Sequence, residues 1–236
     1  MEDRGVKRFY RDVTAAEMEG GWRVLLDGRP VKSVGGRAQF VPNQPLAEAL
    51  AAEWAAQGEE ISPAGFILRD MADFAIDVVA PDRDAAIREL VPYADTDTLC
   101  YRAEPGDPLR REQDKVWEPL LIAAEARLGA RFERIGGVMH RAQPAEAMLA
   151  VEAVLNGHDA FILAALRNLA GLAASLLIGL TALEDDADPS ALWAAAHLEE
   201  DWQARLWGRD AEAEARLAAR RETFLAAARF AALSRG

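Results

Sequence analysis

The sequence predicts an α+β protein, with a small N-terminal domain of β-hairpin strands and helices over residues 1–95 and an all-helical C-terminal domain over 96–236. Three observations carry this reading. β-Branched runs flank a tight-turn dipeptide within the first forty residues. The apolar period turns helical at Pro45. Beyond "EPGDP", helical periods run almost without interruption to the C-terminus.

In "WRVLLDGRPVKSV", two strand-favouring runs meet at Asp27-Gly28, a dipeptide that supplies the positive φ angles of a two-residue hairpin. "RAQFVP" reads as a further strand ended by Pro42. "PLAEALAAEWAAQG" opens on a proline and stops at Gly58, the asymmetry a helix favours. Leu46, Leu50 and Trp54 keep helical spacing there, so Trp54 is expected in the core. "MADFAIDVVA" and "DRDAAIRELVPYA" read as two helices parted by Pro81, and "TDTLCYRA" as a strand.

Residues 109–128 form one long helix ended by Gly129, with Trp117 in its apolar stripe. "RFERI" reads as a strand before a Gly136-Gly137 turn. A helix over 144–157 and a long apolar helix from about Asp159 follow. Asp188-Pro189-Ser190 places an N-cap acid before a first-turn proline, opening another helix. The last helix starts at about Asp210.

Bulk properties exclude some functions. A net charge of −12 opposes nucleic-acid binding, which rests on Lys and Arg releasing counterions. The apolar stretch 160–183 is interrupted by Arg167 and Asn168, and the clean run beyond them is too short to cross ~30 Å of hydrocarbon at ~1.5 Å per residue. It is expected to be a core helix, with no membrane insertion. The first ten residues lack the apolar core of a secretory signal. A lone cysteine, Cys100 among Leu99 and Tyr101, is expected to be buried and inert in a reducing compartment.

No phosphate-loop, dinucleotide-fingerprint, HExxH or GxSxG motif is present, so no cofactor and no catalytic residue is expected. His197 and Glu200 stand i,i+3 but no second motif completes a metal site. Asp95 and Asp97 are expected to cap or turn the chain more often than to catalyse. An enzyme using a carboxylate pair and a helical adaptor for another protein remain alternatives.

"HLEEDWQARLWG" raises a further question, because three acids precede two tryptophans. On one continuous helix from Pro189 at about 100° per residue, Ala191, Ala195, Leu198, Trp202 and Leu206 fall on one core face. Trp193, Glu200 and Trp207 recur at heptad intervals on the opposite side, with Glu199 on the flank. Aromatic anchors around a central acid suit a partner-binding patch. Packing of the two indoles on neighbouring helices fits the same spacing.

The chain resembles the assembly chaperones of the proton-translocating ATP synthase that hold the α subunit of its catalytic head. "KRFYRDV", "LDGRPVKS", "LAEALAAEWAAQGEEISP", "ADTDTLCYRAEPGDPLRREQDKVWEPLL" and "LEEDWQARLWGRDAEAEAR" carry the resemblance, in order, over nearly the whole chain. It departs at Ser33, where Thr is expected, at Asp73-Phe74, where Asn-Thr is commoner, and at Glu118 and Glu199, where Asp is commoner. The resemblance implies an α+β domain followed by a helical one, and binding of unassembled α subunit without turnover until β subunits replace the chaperone. It maps the functional acid onto Glu200, with Glu199 beside it. A monomer in the bacterial cytoplasm is expected, or in the mitochondrial matrix for a processed chain.

Overall fold

A computed structural model describes residues 6–137, 139–208 and 210–235. The fold is α+β: a small N-terminal three-stranded sheet followed by a mostly helical chain. Val13–Met18 (β1), Gly21–Leu26 (β2) and Arg29–Pro30 (β3) pair antiparallel in the order β1-β2-β3. Asp27 and Gly28 take φ of 48° and 76°, the doubly positive turn that the dipeptide predicts. The Asp27 carboxylate also accepts the backbone N–H groups of Arg11 and Asp12 at 3.0 and 2.8 Å, which fixes the approach to β1. β1 itself carries little alternation and escapes the sequence reading. Its register against β2, Val13 opposite Leu26 and Met18 opposite Gly21, rests on the turn between them. Gly21 is required there, since its φ is 134° and a Cβ would stand 2.9 Å from the Val41 carbonyl oxygen.

The strand expected at "RAQFVP" is reduced to isolated bridges, Lys32 with Ala38 and Trp22 with Val41. Side chains compete for the backbone there. The Val34 N–H donates to Asp73 at 3.1 Å and the Gly35 N–H to Asp77 at 2.7 Å, while Ser33 Oγ donates to Asp77 at 2.7 Å.

Gln44–Ala55 (α1) is capped by Asn43, whose side chain accepts the Leu46 N–H at 3.0 Å. Ile67–Phe74 (α2) continues through a π-helical segment, Ala75–Val79, and is followed by Arg83–Leu90 (α3) and Pro92–Asp95 (α4). "TDTLCYRA" yields only a two-residue strand, Tyr101–Arg102 (β4). Its first half is a turn because the buried Asp97 carboxylate gathers the Leu99 N–H, the Ser175 hydroxyl and the Leu177 N–H at 3.1, 2.6 and 2.9 Å. Pro108–Leu128 (α5) runs from its Asp107 cap to Gly129 in the left-handed region. Of "RFERI" only the last residue is strand, in Ile135–Gly136 (β5), so Gly136 pairs in parallel with β4 and does not serve only as a turn.

Ala145–Asn156 (α6), Ala160–Ala173 (α7) and Leu176–Thr181 (α8) follow. The single apolar helix expected from Asp159 is broken at Ala174, where φ is 48° and Ser175 caps the next turn. Pro189–Ala196 (α9), Leu198–Trp207 (α10) and Ala211–Arg235 (α11) complete the chain. Among the described residues, no helix is long and apolar enough to cross a membrane.

The chain divides into two compact units. One comprises Met1–Arg83, Ala160–Ala165 and Arg229–Gly236, the other Asp84–Asp159 and Leu166–Ala228, over their described residues. In the first, Trp54 is buried edge-on to Tyr10 and tilted against Phe66. In the second, Trp117 is fully buried with Leu121, Leu155 and Phe224 in the same core. Side chains of this size each contribute roughly 1.5–3 kcal/mol on burial. Cys100 is buried, and desolvation pushes its thiol far above the ordinary range, which disfavours the thiolate.

Candidate functional site

The site is built on α9, α10 and the first half of α11. α9 starts on the Asp188 cap, whose carboxylate accepts the N–H groups of Ser190 and Ala191 at 2.9 and 3.1 Å. The helix expected to run on from Pro189 breaks at His197, whose φ and ψ are −104° and 21°. One long-range contact and two local ones meet at that break. The Trp117 indole N–H takes the Ala195 carbonyl oxygen at 2.7 Å. His197 Nδ1 donates to the Trp193 carbonyl oxygen at 3.0 Å, and its ring stacks on Trp193 at a centroid distance of 3.6 Å.

The break changes the phase of α10 against α9, and the structure corrects two expectations. Trp193 is not exposed beside Glu200 and Trp207; it is buried, 5% exposed, against His197 and Phe224. Leu206 and Ala191, expected in the core, are exposed. Leu198 is the only residue of α10 that is buried. The three acids, Glu199, Glu200 and Asp201, all sit in the first turn of α10, where the positive end of the helix dipole favours carboxylates.

These acids part company in their surroundings. Glu199 is half-buried, and its Oε1 accepts the Gln113 Nε2–H at 2.5 Å. Gln113 is itself fully buried, and its Oε1 accepts the Ala103 N–H at 2.8 Å, so the amide is oriented before it meets the acid. Burial pushes the Glu199 carboxyl above the ordinary range, the Gln113 hydrogen bond opposes the shift, and Glu200 adds to it. Glu199 therefore holds α10 to α5. Glu200 instead projects outward, with His197 Nε2 3.9 Å from its carboxylate.

Beyond it, Trp207 is 86% exposed and Leu206 62% exposed, a large apolar area left in water. A groove of about 570 Å³ lies between α10 and α11, lined by Glu200, Gln203, Ala204 and Trp207 on one side and by Ala213, Glu214 and Leu217 on the other. A neighbouring groove of about 470 Å³ is lined by Trp193 and His197 and shares Asp201, Glu214 and Leu217 with the first. The structure thus brings Glu200 and Trp207 to one groove and places Trp193 in the wall of the next. From Ala211 to Glu222, α11 is exposed on every side except at Leu217.

The sequence reading missed His197 as the hinge of this site and Gln113 as the holder of Glu199. Gln113 lies 86 residues away from its partner, and no local signal joins them. The other candidate acids are structural. Asp97 caps α8, and Asp95 accepts the Gln143 N–H at 2.8 Å. Among the described residues, no group of three or more His, Cys, Asp or Glu stands together as a metal site.

Comparison with known proteins adds the family. The model of the family described as ATP12 chaperone protein matches residues 7–125, 119 of the 236 residues. The chain belongs to the ATP12 chaperone family. With that membership comes a chaperone role in ATP synthase assembly. The chain is similar to the crystal structure of Atp12 from Paracoccus denitrificans, with a TM-score of 0.91 and 37% identity over 97% of this chain and 98% of that one. The Atu1473 protein of Agrobacterium tumefaciens is similar too, with a TM-score of 0.90 and 39% identity over 95% of this chain and 85% of its own. Protein atp12, mitochondrial, of Schizosaccharomyces pombe is 23% identical over 214 residues, 86% of this chain and 74% of the relative. The family match ends before α10, whereas the two solved structures extend over nearly the whole chain.

Proposed function

We propose that the α10–α11 surface binds the unassembled α subunit of the ATP synthase catalytic head and keeps it from aggregating until β subunits take its place. One observation carries this reading: Trp207 and Leu206 stand exposed beside the outward carboxylate Glu200, on a grooved surface with nothing of this chain covering it among the described residues. A subunit destined for a ring exposes apolar surface that its later neighbours bury, and such surface aggregates when left open. Trp207 supplies anchoring area. Glu200 accepts charge-assisted hydrogen bonds from an arginine or from backbone N–H groups of the client. Glu199 keeps α10 in place, and Trp193 supports the hinge from beneath. The chaperone acts as a monomer, without turnover, wherever the subunits are assembled: the bacterial cytoplasm or the mitochondrial matrix.

Glu200→Gln tests this, because it keeps the shape and removes the charge. The variant is expected to melt within a few degrees of wild type while protection of unassembled α subunit, read by light scattering, falls steeply. Leaving a desolvated client group unpaired costs about 2–5 kcal/mol. Full protection by Glu200→Gln would reduce the acid to a solvated helix-start residue. Glu199→Gln is expected to lower the melting temperature more than Glu200→Gln does, since Glu199 is the one bonded to Gln113.

A further inference from the structure

We propose that a cleft in the N-terminal unit is a second client contact, which holds an acidic segment of the α subunit bearing an apolar side chain. This rests on the reading of the protein as an α-subunit chaperone. The cleft encloses about 560 Å³, with Trp54 in its wall. Phe9 and Val34 line it while standing 67% and 78% exposed.

Its charge is opposite to that of the whole chain. Arg29, Lys32 and Arg69 line it in a protein of net charge −12. Arg69 is committed to Asp70 at 2.6 Å. The two acids at the cleft are committed as well. Asp27 accepts two backbone N–H groups, and Asp73 accepts the Gln39 amide at 2.6 Å and the Val34 N–H at 3.1 Å. Arg29 and Lys32 are exposed and make no side-chain hydrogen bond or ion pair among the described residues. Asp27 keeps its charge and attracts Arg29, so the lining carries three cations, Arg29, Lys32 and Arg69, against two acids, Asp27 and Asp73, a net positive surface on an acidic chain.

Arg29 stands in β3 and Lys32 in the bridge to Ala38, and both line the one cleft. A client segment bearing two carboxylates meets both cations. The exposed Phe9 and Val34 take an apolar side chain between the charges. Such a contact is steered by charge and weakened by salt, which suits a client that must later be given up.

The test places a photo-crosslinking benzoylphenylalanine at Val34, and separately at Gln203 in the α10–α11 groove, each in the full chain mixed with unassembled α subunit. We expect adducts at both positions. The Val34 adduct should map to an acidic segment of the α subunit, fall several-fold in about 0.5 M salt, and vanish in the R29E/K32E variant, with the Gln203 adduct retained. Both substituted residues are exposed, so the melt should not change; if it does, R29A/K32A repeats the measurement without charge reversal. An adduct at Gln203 with none at Val34 overturns the cleft proposal and leaves the chaperone reading standing. So does a Val34 adduct that maps to a non-acidic segment or survives both charge variants. No adduct at either position, with no co-elution of α subunit in size exclusion, overturns both.

Discussion

Helices α5 and α10 belong to the same unit, and both are rich in acids, yet they put them to opposite uses. On α5, Asp114 and Glu118 take Arg102 at 2.6 and 2.7 Å, and Glu118 also takes Arg134 at 2.8 Å. Glu125 takes Arg134 and, at 2.8 Å, Arg131. Hydrogen bonds from Arg134 hold the Glu118 carboxyl below its ordinary range against the opposing effect of burial. On α10, Glu200 meets no arginine among the described residues and is exposed on the groove that Trp207 also lines. The difference teaches that an acid is read by what the rest of the chain brings to it. Arg102 on β4 and Arg134 just before β5 turn the α5 acids into fold-holding groups. Among the described residues no arginine does the same for Glu200, whose carboxylate stands exposed with only His197 Nε2 near it, at 3.9 Å.

The harshest way to break this comparison is Trp117→Arg. A charge without a partner would replace a fully buried indole that also bonds Ala195, and the chain is expected to unfold or aggregate. A soluble variant with an unchanged melt by circular dichroism would show that α5 does not anchor its unit. Next comes Arg134→Met. It removes one of the two arginines on the buried Glu125 and half of the pairing of Glu118, at an expected cost of about 1.5–3 kcal/mol in urea unfolding. A cost within about 0.5 kcal/mol would make the network a surface ornament, as many exposed ion pairs are.

Asp97 sharpens the comparison through pH. Burial raises its carboxyl to about 6 from an ordinary 3.8, against the pull of the Leu177 N–H and the Ser175 hydroxyl. The folded chain thus binds more protons than the unfolded chain between those values. The contribution of Asp97 to stability is present in full below the unfolded value and is lost as pH rises through about 6. The α5 acid Glu118, with its pKa lowered, has the opposite sign: its contribution is present above the unfolded value and is lost as pH falls. Urea unfolding of wild type and Asp97→Asn across this range should give a difference curve that falls with rising pH. A flat difference would mean that burial does not raise the Asp97 carboxyl above its unfolded value. The smallest effect on stability is expected from Trp207→Ala. The side chain is 86% exposed, so stability should stay within about 0.5 kcal/mol while α-subunit protection drops. A large loss of stability would place the indole in the fold and not at a client.

Legibility followed the range of the interactions. The Asp27-Gly28 hairpin, the Pro45 helix start and the Asp188 cap are settled within a few residues, by φ preferences and side-chain caps, and each stands where the sequence reading put it. The acids at the start of α10 were legible as an unusual group. Their separate roles were not, because Gln113 and Trp117 act on this region from α5. The projected face that joined Trp193 to Glu200 assumed an unbroken helix. The hinge at His197 parts Trp193, buried on α9, from Glu200 and from Leu206, which stands in water on α10.

The sequence by itself determined the α+β class, most of the helices, the burial of Trp54, Trp117 and Cys100, and the resemblance to its family. Those follow from period, caps and apolar content, which each segment carries with it. Only the tertiary structure decided where the long helices break, which carboxylates are neutralised, and which tryptophan reaches solvent. A helix tolerates a break at Ala174 or His197 only when distant donors and acceptors satisfy the backbone groups set free. Here those partners are Thr98, whose N–H donates to the Ala174 carbonyl oxygen at 3.1 Å, and Trp117, whose indole N–H takes that of Ala195 at 2.7 Å.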